Sequence, residues 1–160
     1  EGVVVESGEK SYYSWWRNLG QGGRNQAILD RSSRDIGRYV GLNCKNWARK
    51  VVQDASRGVV VLPATRPNAN GWYFAYSRYL VGRSGGIRNA QPGWIVQTNW
   101  KLRDGSITPH TFIVVGRSSY GINIIESNWC GTNKVCTRYI SFSQFEREVV
   151  RYSCYYVTGG

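Results

Sequence analysis

The chain is short of metal ligands, prolines and long runs of any one kind, and each shortage excludes something. There is one histidine, His110, and no two of the four cysteines have the two-to-four-residue spacing of a zinc knuckle. A zinc site is therefore disfavoured, and no metal or organic cofactor is expected. Four prolines, no low-complexity run and a hydrophobic fraction of 41% argue against a disordered chain. No apolar run approaches a membrane span, and the first residues do not form a signal peptide, so a secreted chain would already have lost its leader. Gly20-Gln21-Gly22-Gly23 lacks the context of a phosphate-binding loop and reads as an ordinary loop.

At 160 residues the chain suits one domain over residues 1–160, able to bury roughly two thirds of its unfolded surface. Lys and Arg number 21 against 10 acidic residues, a formal charge of 21 − 10 = +11, which points to anionic partners: nucleic acid, anionic membrane or an acidic cell-wall polymer. The basic residues are scattered, from Arg17 and Arg24 through Arg49 to Arg88, without a run of five or six. That makes a diffuse field rather than a tail. No nucleic-acid-binding motif is recognisable, so nucleic acid is not expected as a partner. Seven Trp and eleven Tyr suit stacking on sugars or bases as well as core packing.

The chain is organised around Gly41-Leu42-Asn43-Cys44-Lys45-Asn46-Trp47-Ala48-Arg49. From Cys44 onward, Trp47, Ala48, Val51, Val52 and Ala55 recur at spacings of three and four, one face of a helix. Asn43 is a candidate N-cap, and Cys44 falls at the helix start. There the unpaired N–H groups and the positive end of the helix dipole favour a thiolate, with Lys45 and Arg49 adding charge nearby. The competing reading is a small buried residue that anchors the helix.

Upstream, Ser11 to Arg17 is an aromatic cluster, and residues 24–38 predict a helix carrying Ile28, Leu29 and Ile36 inward. Gly2 to Glu6 is a short strand or a terminus. The Cys44 helix should end near Ser56-Arg57-Gly58. Val59 to Pro63 is a short apolar run, Ala64 to Gly71 a loop, and Trp72 to Leu80 is ambiguous between helix and strand. From Pro92-Gly93 the pattern turns to strands: Trp94–Trp100, Pro109–Gly116, Gly121–Trp129, then Tyr139-Ile140 and Cys154–Val157, with a short helix at about Ser143 to Val150. Helices first and a mostly antiparallel sheet after make an α+β domain.

This order brings chemistry together. His110 opens one strand, and Glu126 and Asn128 close its hairpin neighbour, two residues apart and so on one face. Either can orient the imidazole, giving nucleophile, base and orienter from three elements. The competing readings are a strand-end histidine and a solvated strand end. Cys130 and Cys136 bracket a short polar loop and could staple it, while Cys154 could claim either partner.

The chain resembles a CHAP domain, the cysteine- and histidine-dependent amidohydrolase/peptidase branch of the papain-like clan. The resemblance is carried by Asn43-Cys44 opening a helix with Trp47, by Gln91-Pro92-Gly93-Trp94-Ile95-Val96, by Pro109-His110-Thr111-Phe112-Ile113-Val114-Val115, and by Ile125-Glu126-Ser127-Asn128-Trp129. It covers roughly residues 40 to 158, the catalytic core being 41–158 and residues 1–40 an N-terminal helical portion. There are departures: Asn43 where the family has Gln, Trp94 for an acidic residue, and Pro109 for Gly. None removes a proton-transfer group.

The resemblance implies a papain-like fold and a secreted or wall-associated, monomeric peptidoglycan hydrolase, antimicrobial in character. It would cut the N-acetylmuramoyl-L-alanine amide or a stem or cross-bridge peptide bond. Cys44 would be the nucleophile, His110 the base, Glu126 the favoured orienter and Asn128 its support. Asn43, Trp47 and Trp129 are the candidate oxyanion or substrate residues. Peptidoglycan is the expected partner, and a proteinaceous inhibitor a further one. The competing functions are a non-catalytic module binding wall glycans or nucleic acid, and a papain-like toxin or protease acting on proteins.

Overall fold

The computed structural model describes residues 12–63, 79–83 and 86–160. The segment Gly2 to Glu6, the loop Ala64 to Gly71 and nearly all of Trp72 to Leu80 lie outside them. Residues 12–18 are helical (α1). They are followed by α2 (Gly20–Ser33), α3 (Cys44–Ala55), β1 (Leu80–Arg83), a 3₁₀ turn (Ile87–Asn89), β2 (Ile95–Lys101), β3 (Ile107–Arg117), β4 (Gly121–Ser127), β5 (Val135–Ser141), α4 (Phe142–Glu148) and β6 (Val149–Val157). The strands form one sheet in the order β1-β6-β2-β3-β4-β5, each neighbouring pair antiparallel. The fold is α+β, with helices packed on an antiparallel sheet.

Alternation along the strands sorts the core into two layers. Ile95, Ile113, Ile125, Tyr155 and Val157 face α1 to α3, meeting Trp16, Ile28, Trp47, Ala48, Val51 and Val52. Val96, Trp100, Phe112, Val114, Ile122, Ile124, Ile140 and Cys154 line the opposite face, which Ile87 and the α4 residues Phe142 and Phe145 cover. Burying each large side chain contributes about 1.5–3 kcal/mol. The helix at Cys44 follows its sequence pattern. Asn43 Oδ1 accepts the Asn46 N–H at 3.0 Å, and the helix stops at Ala55 before Arg57 and Gly58 turn the chain at φ 53° and 83°.

The N-terminal half departs from the sequence reading. Gly20 to Gly23, read as a loop, lie inside α2, which ends at Ser33 rather than 38. Tertiary contacts override the low helix propensity of glycine. Gln21 Nε2 and Arg24 Nε both donate to the Val157 carbonyl, at 2.8 and 3.4 Å, and Trp16 Nε1 donates to the Thr158 carbonyl at 3.0 Å, fixing α1 and α2 to the end of β6. Beyond Ser33 the chain turns so that Gly37 N–H donates to the Val135 carbonyl at 2.8 Å. Ile36, expected inward, is therefore 43% exposed. Pro92-Gly93 presses against α2. Gly93 has φ +85°, and a Cβ there would collide with the Asn25 backbone.

One irregularity of the sheet positions the site. The β3–β4 ladder stops at the pair Ile113 and Ile125, yet β3 reaches back to Ile107 on β2 and β4 runs on to Ser127 on β5. The two strands splay apart there. The loop entering α3 is tied to the β4 side of this opening, because Ser127 Oγ donates to the Leu42 carbonyl at 2.7 Å.

Candidate active site

The parity of the strands puts His110 on β3, Glu126 on β4 and Arg138 on β5 on the same face as Phe112, Ile124 and Ile140. Here the structure brings Cys44, His110 and Glu126 together. His110 Nε2 lies 2.7 Å from Glu126 Oε1, and both side chains are almost fully buried, at 3% and 1% exposure. An ionised carboxylate only accepts, so Nε2 carries the proton in this bond. Nδ1 is left for Cys44, whose thiol is hydrogen-bonded to His110.

The three groups hold one another charged. Burial pushes the Cys44 thiol up, but the hydrogen bond and charge of His110, with backbone bonds from Thr111 and Lys45, outweigh it and bring the thiol below its ordinary value. Burial pulls the imidazole down, and Cys44 and Glu126 together raise it above the ordinary histidine value. Burial also opposes ionisation of Glu126, and His110 and Arg138 overcome this, holding its carboxyl low. All three shifts favour a thiolate–imidazolium pair with a carboxylate behind it. Lys45 is a weaker cation than the sequence suggests. Burial and the charge of Arg49 push its ammonium down to about 8, with Cys44 opposing.

Arg138 is the residue that the sequence reading missed. Its Nε donates to Glu126 Oε2 and its Nη2 to Glu126 Oε1, both at 2.8 Å, a bidentate clamp that shares Oε1 with the imidazole. The guanidinium lies over the rings of Trp100 and Trp129, 4.8 and 4.6 Å from their centroids. Trp129 in turn packs on His110 with ring centroids 4.5 Å apart. The only sequence signal was the diagonal relation of Glu126 and Arg138 across β4 and β5, visible once Glu126 is paired with Cys136.

Three expected site residues take other places. Asn128 is not on the strand face beside Glu126. β4 ends at Ser127, Asn128 turns at φ 67°, and its Oδ1 accepts the Asn133 N–H at 2.9 Å, closing the loop instead of orienting His110. Trp47 is not a substrate residue: it is fully buried among the helices and donates from Nε1 to Asp35 Oδ2 at 2.9 Å. Asn43 uses its Oδ1 for the helix cap and does not line the cleft at Cys44. Cys130 and Cys136 form a disulfide, leaving Cys44 and Cys154 free. Cys154 is buried and its thiol pushed up to about 12 by that burial, so of the two free thiols only Cys44 is activated.

The cleft itself has a volume of about 300 Å³ and is lined by Cys44, Leu102, Thr108, Pro109, His110, Asn128 and Trp129. No cluster of three His, Cys, Asp or Glu side chains suited to a metal occurs among the described residues, and none of their helices is long and apolar enough to cross a membrane.

No protein-family model matches the chain, and no curated protein sequence matches it. Solved structures do match, two of them of one protein. The crystal structure of Ly7917 aligns at 20% identity with a TM-score of 0.61, covering 85% of this chain and 63% of that one. The crystal structure of Ly7917 with the hydrolyzing product of MDP aligns at 16% identity with a TM-score of 0.59, covering 82% and 62%. The chain thus spans less than two thirds of the length of these solved chains. At such identities the likeness establishes a shared fold, an α+β sheet-and-helix architecture built on the same plan.

Proposed function

We propose that the chain is a CHAP-like cysteine peptidoglycan hydrolase, cutting an amide bond through an acyl-enzyme. The observation that carries this reading is the buried line from Cys44 through His110 to Glu126, opening on a cleft at the start of α3. The shared fold with Ly7917, solved with a hydrolysis product of the peptidoglycan fragment MDP, supports the substrate class. The charge of +11 suits an anionic wall.

In this mechanism the Cys44 thiolate attacks the amide carbon, and the C–O π pair moves onto oxygen. The N–H of Cys44, at a helix start where backbone donors have no intrahelical acceptor, faces the oxyanion. Imidazolium Nδ1 gives its proton to the leaving nitrogen, the C–N bond breaks, and an amine departs from a thioester on Sγ. Water then loses a proton to Nδ1 as its oxygen attacks the thioester. The carboxylic acid leaves, and the thiolate–imidazolium pair is restored. Glu126 keeps Nε2–H bonded throughout, which fixes the ring so that Nδ1 faces the reacting atoms. The disulfide and the basic surface fit action outside the cell.

Purified peptidoglycan incubated with the wild-type chain and with Cys44→Ala tests the reading. Mass spectrometry should find fragments with new termini from the wild type alone, and those termini name the bond. If neither chain releases fragments while both bind the wall, a non-catalytic binding module replaces the enzyme.

A further inference from the structure

A second cleft, of about 490 Å³, adjoins the first across Trp129 and Leu102, which line both. Its remaining lining is Trp100, Lys101, Arg103, Arg138, Gln144, Arg147 and Glu148, four cations against one acid. Two of the cations are already engaged: Arg138 clamps Glu126, and Arg147 Nη2 lies 3.8 Å from Glu148 Oε2. Lys101, the last residue of β2, and Arg103, on the turn that follows it, are both exposed and have no ion-pair partner among the described residues. Glu148 is further occupied by Trp100 Nε1, which donates to its Oε1 at 3.0 Å. The uncompensated charge in this cleft is therefore positive.

The side on which this cleft lies has a chemical meaning if the chain is the hydrolase proposed above. His110 must protonate the leaving nitrogen, so the leaving fragment sits on the His110 side of Cys44. Trp129 packs on His110 and forms the wall between the two clefts. We propose that the Trp129–Arg103 cleft is the subsite for the leaving fragment and that it selects a fragment carrying a free carboxylate, held by Lys101 and Arg103. Stem peptides present such carboxylates near their amide bonds, and amidation removes them. Trp129, half-buried, is the aromatic wall that the two clefts share, whereas Trp100 lies beneath it, buried.

The test uses the folded but inert Cys44→Ala chain, so that binding is read apart from turnover. A short stem peptide with its carboxylate free and the same peptide amidated are each titrated calorimetrically at low and at 0.5 M salt. The acid should bind about tenfold more tightly than the amide, the preference should shrink in salt, and Lys101→Ala/Arg103→Ala should abolish it. Equal affinities for acid and amide in Cys44→Ala, or a preference that survives the double substitution, overturn the subsite. A wild-type chain that releases no fragments from peptidoglycan instead overturns the hydrolase reading, whatever the calorimetry shows. Circular dichroism of the double variant should be unchanged, since both side chains are exposed.

Discussion

His110 Nε2 and Glu126 Oε1 meet at 2.7 Å across the gap where β3 and β4 part, with Arg138 gripping both oxygens of the same carboxylate. A buried carboxylate between two cations has a definite linkage to pH. Glu126 is held below its ordinary 4.5, so its contribution to stability is fully present above that value and is lost as the pH falls through the lower folded value. His110 is held above its ordinary 6.5, so its contribution is present below 6.5 and is lost as the pH rises through the higher folded value. Thermal unfolding followed over pH should therefore show a stability maximum between the two. Removing the bidentate clamp with Arg138→Gln should raise the Glu126 carboxyl and move the acid-side loss to higher pH. An acid limb that stays where it is in Arg138→Gln would show that the guanidinium does not hold Glu126 ionised.

Glu126→Gln keeps the shape of the side chain and removes its charge. The imidazole then loses the partner that fixes its tautomer, and kcat should fall about a hundredfold or more, with a smaller change in KM. Asn128→Ala should change kcat by no more than a few-fold, because its side chain closes the Asn133 loop instead of reaching His110. A loss in Asn128→Ala as large as that in Glu126→Gln would reverse their roles.

Hydrolysis should follow a bell-shaped pH profile. The rising limb belongs to ionisation of Cys44, below its ordinary 9.0, and the falling limb to loss of the His110 proton, above its ordinary 6.5. Both limbs report the coupled pair rather than either group alone. Initial rates from pH 4 to 10, with binding and folding controlled, check this, and a flat profile contradicts it.

Two substitutions separate scaffold from chemistry around α3. Trp47→Ala should cost about 3–5 kcal/mol of stability by opening a cavity among Ile28, Val51 and their neighbours, while the activity of the fraction that stays folded survives. Asn43→Asp retains an N-cap acceptor and removes the side-chain N–H donor. It should leave both melting temperature and kcat nearly unchanged, whereas a hundredfold loss of kcat would make Asn43 an oxyanion donor after all.

Much of the sheet was legible because its strands are short apolar runs bounded by turn residues, as at Ile95–Lys101 before Asp104-Gly105. The Cys44 helix was legible from its cap and its three-and-four spacing. The Gly20–Gly23 helix start was not, since it depends on Gln21 and Arg24 reaching Val157, a contact between the two ends of the chain. Nor was the division of labour between tryptophans. Trp47 and Trp129 each follow a motif, but only packing shows that the first is buried against Asp35 and the second covers His110. Arg138 was hidden for a similar reason. It is one of 21 scattered basic residues, and only the register of β4 against β5 sets it beside Glu126.

The central claim is that Cys44 is a preformed nucleophile whose ionisation His110 maintains, and alkylation measures this without any substrate. The rate of iodoacetamide labelling, followed by peptide mass spectrometry from pH 4 to 10, should show Cys44 reacting with a midpoint below 9.0 while Cys154 stays unlabelled. In folded His110→Gln the Cys44 midpoint should move upward, because burial then acts unopposed by the imidazole. A Cys44 midpoint at or above 9.0 in the wild type, or one unmoved in His110→Gln, would contradict the account.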